Sequence, residues 1–194
     1  RRSSSAASDV YKRQELGQSV EADMKDESFW LEDWLMFEQL KIKFDGKPWH
    51  EWPPEYRNRD PAALAEIATD SSAQARFMGR WNEVREYAKS KNISLIGDLP
   101  IFVAHDSADV WAHRDLFLLN DKGMPDVVAG VPPDYFSKKG QKWGTVLYDW
   151  DAHRKQNWRW WKERMGRMMR LFDIVRIDHF RGLHSAWAIP AKHK

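Results

Sequence analysis

Aspartates at the ends of two short apolar segments are the strongest chemical signal in the sequence. Asp98 closes the segment 93–97, and Asp178 closes the segment 173–177, which also contains Arg176. Alternation along a strand places Arg176 and Asp178 on one face. An arginine beside an aspartate favours the ionised carboxylate, the form that a carboxylate nucleophile requires. The spacing alone leaves a second reading open: a strand-capping ion pair at Asp178 and a cap of the following turn at Asp98.

Helical periodicity predicts the elements that hold these two strands. Apolar and aromatic residues recur at helical spacing over about 28–42, 74–90 and 151–171. Asp60 followed by Pro61 predicts the cap and first turn of a short helix. The order helix, strand, long loop, helix, strand predicts a parallel α/β fold. In such folds ligands gather at the carboxyl ends of the strands, where both aspartates lie.

Three segments do not follow these periodicities. Residues 1–14 form a Ser- and Ala-rich leader without regular pattern, which we expect to be disordered or non-native. Segment 43–60 is rich in polar and aromatic residues and is interrupted by prolines, which predicts an ordered surface insertion. Residues 99–150 contain many turn signals and little periodicity. A loop of this length in a compact domain is either a mistaken assignment or functional, and we favour the second interpretation, an active-site loop.

Composition excludes several classes of protein. Lys and Arg number 31 against 29 Asp and Glu, so no whole-chain field indicates a nucleic-acid or membrane-surface partner. No apolar run reaches the ~18 residues of a membrane span. The absence of cysteine excludes disulfides, thiolate metal sites and cysteine nucleophiles, and it fits a cytoplasmic location. The spacing of His105 and His113 matches no metal site. Twelve tryptophans in a polar chain indicate flat apolar platforms near a polar ligand.

Four blocks of the sequence carry a resemblance to a known family. They read GDLPIFVAHDSADVW over 97–111, VVAGVPPDYFSKKGQKWG over 127–144, LYDW over 147–150 and VRIDHFRG over 175–182. Together they closely resemble the 4-α-glucanotransferases, also called amylomaltases or disproportionating enzymes. These form glycoside hydrolase family seventy-seven, within the α-amylase clan. The resemblance extends over about residues 28–191.

The resemblance implies an α/β fold, with residues 15–194 forming an incomplete (β/α)₈ barrel around its third and fourth strands. It implies a retaining transfer of an α-1,4-glucan segment to a glucose or malto-oligosaccharide acceptor, without a metal or organic cofactor. Asp178 then matches the nucleophile, and Arg176 matches the arginine that orients and ionises it. The substrate-binding positions that the resemblance implies are Asp98, Asp134, Tyr135, Phe136, Trp143 and His179.

Two further expectations concern the extent of this machinery. The resemblance places the general acid/base glutamate beyond Lys194, so we expect the isolated fragment to be inactive and poorly folded. Thr145 and Val146 stand where the family usually has Asn and Pro, which alters this part of the loop. The alternatives are an α-glucan hydrolase of the same clan and a non-catalytic glucan-binding module. The sequence leaves the oligomeric state open.

Overall fold

The computed structural model describes residues 27–135 and 137–192 as an α/β arrangement of helices around a parallel strand pair and a small antiparallel sheet. The leader predicted over 1–14 and the site residue Phe136 lie outside the described residues. The helices are α1 Ser28–Lys43, α2 Pro54–Arg57, α3 Pro61–Ala65, α4 Ser72–Ser90, α5 Ala108–Ala112, α6 Trp150–Lys155 and α7 Arg159–Leu171. Three 3₁₀ helices span Trp49–Glu51, Arg114–Leu116 and Phe180–Leu183. The strands are β1 Ile96–Leu99, β2 Val127–Val131, β3 Gln141–Val146, β4 Ile174–Ile177 and β5 Trp187–Pro190.

The predicted parallel pairing is confirmed, because β1 pairs with β4 in parallel. Strand β1 begins at Ile96 rather than at residue 93, so Asp98 lies inside the strand instead of after it. The backbone just before Ile96 adopts a turn, and the N–H of Leu95 has a side-chain partner instead of a strand partner. Asn92 turns it in the left-handed conformation (φ 56°), and the backbone N–H of Leu95 donates to the Asp173 carboxylate at 2.8 Å. Pairing therefore starts where Ile96 lies opposite Ile174.

The single helix predicted over 151–171 is wrong, because the structure divides it into α6 and α7. The break lies at Asn157 and Trp158, which both adopt positive φ (52° and 59°). Asn tolerates this conformation better than most residues, and the Trp158 N–H then closes α6 on the carbonyl of His153 at 2.8 Å. After the break, Trp160 and Leu171 become the buried residues of α7.

Residues 99–150 are more regular than predicted. They contain β2 and β3, which pair with each other, and β2 also pairs with β5 to form a sheet of order β3-β2-β5. The strand β2 reads Val-Val-Ala-Gly-Val and is largely buried, so it has no polar alternation that would mark it as a strand. Its second partner, β5, lies about sixty residues later in the chain. Local sequence signals therefore could not show this sheet.

The segment 43–60 is ordered, as predicted, but its tryptophans are not on the surface. Trp49 and Trp52 are 0% and 2% exposed and pack in one cluster with Trp111 and Phe37. Buried indoles need a partner for their N–H groups, and each of these three donates to a backbone carbonyl at 2.6 to 3.0 Å. This cluster ties the segment to α1 and α5. Its assignment as an accessory insertion stays a prediction.

Candidate active site

A bidentate ion pair joins the two strands that were expected to carry the chemistry. In the parallel register Asp98 of β1 lies opposite Arg176 of β4. Arg176 donates from Nε to Asp98 Oδ1 at 3.1 Å and from Nη2 to Asp98 Oδ2 at 2.6 Å. The fork of a guanidinium matches a carboxylate in this geometry, which holds both side chains in one orientation. The predicted alternation is confirmed, because Ile174 and Arg176 of β4 are exposed while Val175 and Ile177 are half-buried.

The electrostatics keep both members of this pair charged. The hydrogen bonds from Arg176 lower the pKa of Asp98, and the same bonds raise the pKa of Arg176. The side chains of Arg176 and Asp98 are 65% and 50% exposed, so solvent screens the pair and its contribution to stability is small. In the described part of the chain this ion pair is open to solvent. The reason is that β1 and β4 pair there only with each other, which leaves this face of the sheet open.

Asp178 follows β4 directly, at the carboxyl end of the strand, and its side chain is exposed. The hydrogen bonds of Arg176 go to Asp98 rather than to Asp178, which corrects the contact that alternation alone had suggested. The parallel register explains this, since it sets Arg176 across from Asp98 while Asp178 lies beyond the last paired residue. The charge of Asp178 still acts on Arg176 and contributes to its raised pKa. The roles predicted for the two residues stay predictions.

His179 turns the chain immediately after Asp178. Its φ of 48° places it in the left-handed region, and its ring packs edge-on against Trp143 with 4.8 Å between centroids. Phe102 completes an aromatic wall, with its ring 6.1 Å from both Trp143 and His179. Behind it, Phe102 stacks on Tyr148 at 6.1 Å. The structure thus brings two predicted site residues, Trp143 and His179, into contact beside Asp178.

Phe102 was not among the predicted site residues. It lies three residues beyond β1, in a stretch without periodicity, so spacing offered no signal for it. The signal that could have found it is its position inside the conspicuous block 97–111, four residues after Asp98. Gly182 fits closely against this wall, because a Cβ there would lie 3.2 Å from the His179 ring and 3.3 Å from Phe102.

Asp134 and Tyr135 lie in the connection between β2 and β3. The Asp134 carboxylate accepts a hydrogen bond from the Ser137 N–H at 2.7 Å, and the Asp134 N–H donates to the Ser137 carbonyl at 2.9 Å. Asp134 therefore shapes its own turn. Tyr135 is 96% exposed at the tip of that turn. Both residues are on the loop that was expected to cover the site, and their contact with substrate stays a prediction.

The described residues hold no cluster of three or more His, Cys, Asp or Glu side chains that could bind a metal ion. The Nε2 of His105 instead donates a hydrogen bond to the Gly123 carbonyl at 2.6 Å, and its ring stacks on His50 with 5.0 Å between ring centroids. Over the same part of the chain, no helix is long and apolar enough to cross a bilayer.

Comparison with known proteins identifies the family. The family model described as 4-alpha-glucanotransferase matches residues 3–194, so the chain belongs to this family and the resemblance read from the sequence is confirmed. The 4-alpha-glucanotransferase of Thermus thermophilus is 45% identical over 173 residues, which cover 85% of this chain and 35% of that protein. The chloroplastic/amyloplastic 4-alpha-glucanotransferase of Solanum tuberosum is 43% identical over 194 residues, with 91% and 34% covered.

The structure also resembles a solved one. An amylomaltase from Streptococcus agalactiae, in complex with acarbose, matches with a TM-score of 0.79 and 34% sequence identity. The match covers 92% of this chain and 38% of that protein. The chain therefore spans about a third of the length of the relatives that it matches.

Proposed function

We propose that the full-length protein containing this chain is a 4-α-glucanotransferase, which moves a segment of an α-1,4-glucan to a glucose or malto-oligosaccharide acceptor. The observation that carries the proposal is the Asp98–Arg176 ion pair, placed beside Asp178 at the carboxyl end of a parallel strand in a chain of this family. A surface that only binds glucan has no need of a fixed guanidinium next to a strand-end carboxylate. The acarbose complex of the amylomaltase from Streptococcus agalactiae supports an oligosaccharide substrate.

The proposed architecture follows from the pairing of β1 and β4. We take them as the third and fourth strands of a (β/α)₈ barrel, with α7 as the helix that connects them. Active sites of such barrels lie at the carboxyl ends of the strands. Asp178 directly follows β4, and Asp98 is the last residue but one of β1. The exposed face of the pair then points into the barrel, and its buried face, with Gly97 and Leu99, packs against the helices.

In the proposed mechanism Asp178 attacks the anomeric carbon of the donor and the glycosidic bond to the leaving sugar breaks. A second carboxyl group, ~5–5.5 Å away in retaining enzymes, protonates the leaving oxygen. The same group then removes a proton from the acceptor hydroxyl, which displaces Asp178 and restores the original anomeric configuration. We assign that second carboxyl to the part of the full-length protein outside this chain, because the chain spans about a third of its relatives.

The surrounding residues are given supporting roles. Arg176 orients Asp178 through its charge, while its hydrogen bonds to Asp98 keep the guanidinium in place. The ring of Trp143, 38% exposed beside His179, offers an apolar platform for a sugar face. Asp134, Tyr135 and Phe136 are proposed to close over the substrate and exclude water. Exclusion of water favours transfer to a sugar hydroxyl over hydrolysis.

Maltotriose disproportionation tests the proposal. The full-length protein is expected to convert maltotriose into glucose and both longer and shorter malto-oligosaccharides, and Asp178→Asn is expected to abolish this conversion while the protein still melts like the wild type. Asp121→Asn is the matched control, since it makes the same change at an exposed turn and should keep full activity. Wild-type turnover by Asp178→Asn would overturn the assignment of the nucleophile.

The same assay separates the alternative functions. An α-glucan hydrolase would transfer the glycosyl group to water and so create new reducing ends. Its product pattern would not change when glucose is added as an acceptor. A binding module would hold glucan without forming any product. The proposed cytoplasmic location stays a prediction, and the plant relatives carry names that place them in the chloroplast or amyloplast.

A further inference from the structure

We propose that a cleft beside the aromatic wall is an additional sugar-binding subsite, with Trp187 as its stacking platform and Arg181 as its hydroxyl-binding group. This inference rests on the proposed function, since it takes an α-glucan as the ligand. The cleft has a volume of about 350 Å³ and lies between the end of β2 and the segment that follows β4. Trp187 and Arg181 were not among the residues expected to bind substrate.

The position of the cleft connects it to the candidate nucleophile. His179, which directly follows Asp178, forms part of the cleft lining. His179 also contacts Trp143, which does not line the cleft, with 4.8 Å between the ring centroids. A glucan chain that reaches Asp178 can therefore continue past His179 into the cleft. Two other cavities in the described part of the chain differ from this cleft, because they are lined mainly by helix residues and not by His179.

The first half of the site is an uncovered tryptophan. Trp187 opens β5 and is 54% exposed. Its partner across the sheet is Gly130, which offers no side chain to cover the ring. A larger residue does not fit at position 130, because a Cβ there would lie 2.4 Å from both the Gln141 carbonyl oxygen and the Ile189 side chain. Position 130 is therefore restricted to glycine, and no side chain from it covers Trp187. The cleft opens beside these two residues, which both line it.

The second half of the site is polar. Arg181 lies in the 3₁₀ helix Phe180–Leu183, is exposed, and makes no side-chain hydrogen bond or ion pair with any residue that the structure describes. The exposed Ser185 follows on the same segment, held by a hydrogen bond from its N–H to the Arg181 carbonyl at 3.0 Å. Guanidinium and hydroxyl groups at the cleft lining can donate to several sugar hydroxyls at once.

The two halves together select a sugar. A glucose unit has an apolar face of C–H groups and a rim of hydroxyls, which match an indole and a set of hydrogen-bond donors. The volume is near the lower end of small-molecule sites, which suits one or two sugar units. A small anion such as phosphate would use Arg181 but would gain nothing from Trp187. The exposed indole therefore favours a sugar.

Calorimetric titration of the full-length protein tests this subsite. Asp178→Asn is used as the background, so that maltotriose to maltoheptaose bind without being converted. Trp187→Ala is expected to weaken the binding of the longer oligosaccharides about tenfold, and Arg181→Gln several-fold, because both remove direct contacts with the sugar. Trp187→Phe keeps an aromatic ring and should recover most of the affinity. Tyr87→Ala and Arg154→Gln are matched controls at exposed positions on α4 and α6.

The outcomes separate this inference from the proposed function. Unchanged affinity in both Trp187→Ala and Arg181→Gln overturns the subsite, even if the wild type transfers glucan normally. Glucan binding that depends on Trp187, in a wild type that forms no product, supports the subsite and overturns the transferase proposal. If Trp187→Ala does not fold, the affinities of Trp187→Phe and Arg181→Gln for the longer oligosaccharides test the subsite in its place. Binding of inorganic phosphate that is lost in Arg181→Gln but kept in Trp187→Ala overturns the sugar assignment.

Discussion

Gly97 offers a sharp test of how the strand pair at the site is supported. It lies in β1 next to Asp98, on the buried face of the strand. A Cβ at this position would lie 2.2 Å from Cδ2 and 2.5 Å from Cγ of Phe172, the residue that precedes β4 by two positions. Phe172 is itself held edge-on against Trp81, with 5.4 Å between ring centroids. Rotation of the Phe172 ring does not relieve this overlap, because Cγ is the ring atom attached to Cβ and stays in place when the ring turns.

The size of the effect follows from two opposing contributions. Replacing a glycine that has ordinary φ by alanine stabilises a protein by ~0.4–1 kcal/mol, because it restricts the unfolded chain. Overpacking a filled site costs ~1–3 kcal/mol. Since the overlap at Gly97 exceeds 1 Å, we take the upper part of that range. Gly97→Ala should therefore destabilise the β1–β4 region by about 2 kcal/mol.

Hydrogen exchange measures this loss where it occurs. Local opening rates follow the opening free energy, so about 2 kcal/mol corresponds to roughly 30-fold faster exchange of the β1 and β4 amides in the full-length protein. Phe172→Leu should restore most of the protection in the double variant, because it removes the atoms that the new methyl overlaps. Gly166→Ala is the matched control: its Cβ would meet only Arg170 at 3.8 Å, so the helix α7 should gain up to ~1 kcal/mol.

Two results would refute this reasoning. Unchanged exchange in Gly97→Ala would show that the strand can move away from Phe172 at no cost. Additive effects in the double variant would show that the methyl group and the ring do not compete for the same space.

Two further predictions concern buried polar groups behind the site. Tyr148→Phe removes the hydrogen bond to the buried Ile101 carbonyl (2.6 Å) and should lower the free energy of unfolding by ~1–3 kcal/mol. Urea denaturation should show a lower midpoint at unchanged slope. An unchanged midpoint would contradict this prediction. Burial lowers the pKa of His153 below its ordinary value of 6.5, so the unfolded chain binds the proton more readily. The contribution of neutral His153 to the free energy of unfolding is therefore fully present above about pH 6.5 and is lost as the pH drops toward 5. His153→Phe should make the free energy of unfolding, measured by urea titration, depend less on pH over this range. An equally steep pH dependence in the variant would rule this prediction out.

Local patterns predicted the elements that depend on local interactions. Helices α1 and α4 begin and end within two residues of their predicted bounds. The periodicity of α4 does not coincide fully with its buried face, because Phe77 and Val84 are 54% and 50% exposed. The Asp60 cap is confirmed, since its carboxylate accepts from the N–H groups of Ala62 and Ala63. The predicted helix over 151–171 failed where two consecutive residues adopt positive φ, which periodicity does not register.

Contacts between distant segments were beyond local patterns. The burial of Trp49 and Trp52 depends on α1 and on Trp111, so an aromatic, proline-limited stretch that suggested a surface insertion proved to be part of the core. The sheet of β2, β3 and β5 depends on a strand that begins at Trp187. Its existence also explains the candidate subsite, which no linear spacing indicated.

The sequence alone determined the chemical groups of the candidate site and the family to which the chain belongs, because Asp98, Arg176 and Asp178 are recognisable at strand ends and within extended motifs. Only the tertiary structure decided which of these groups meet. The parallel register of β1 and β4 sets Arg176 opposite Asp98 rather than beside Asp178. Register is a property of two strands that are 78 residues apart in the chain, and the hydrogen bonds that set it are visible only once the strands are paired.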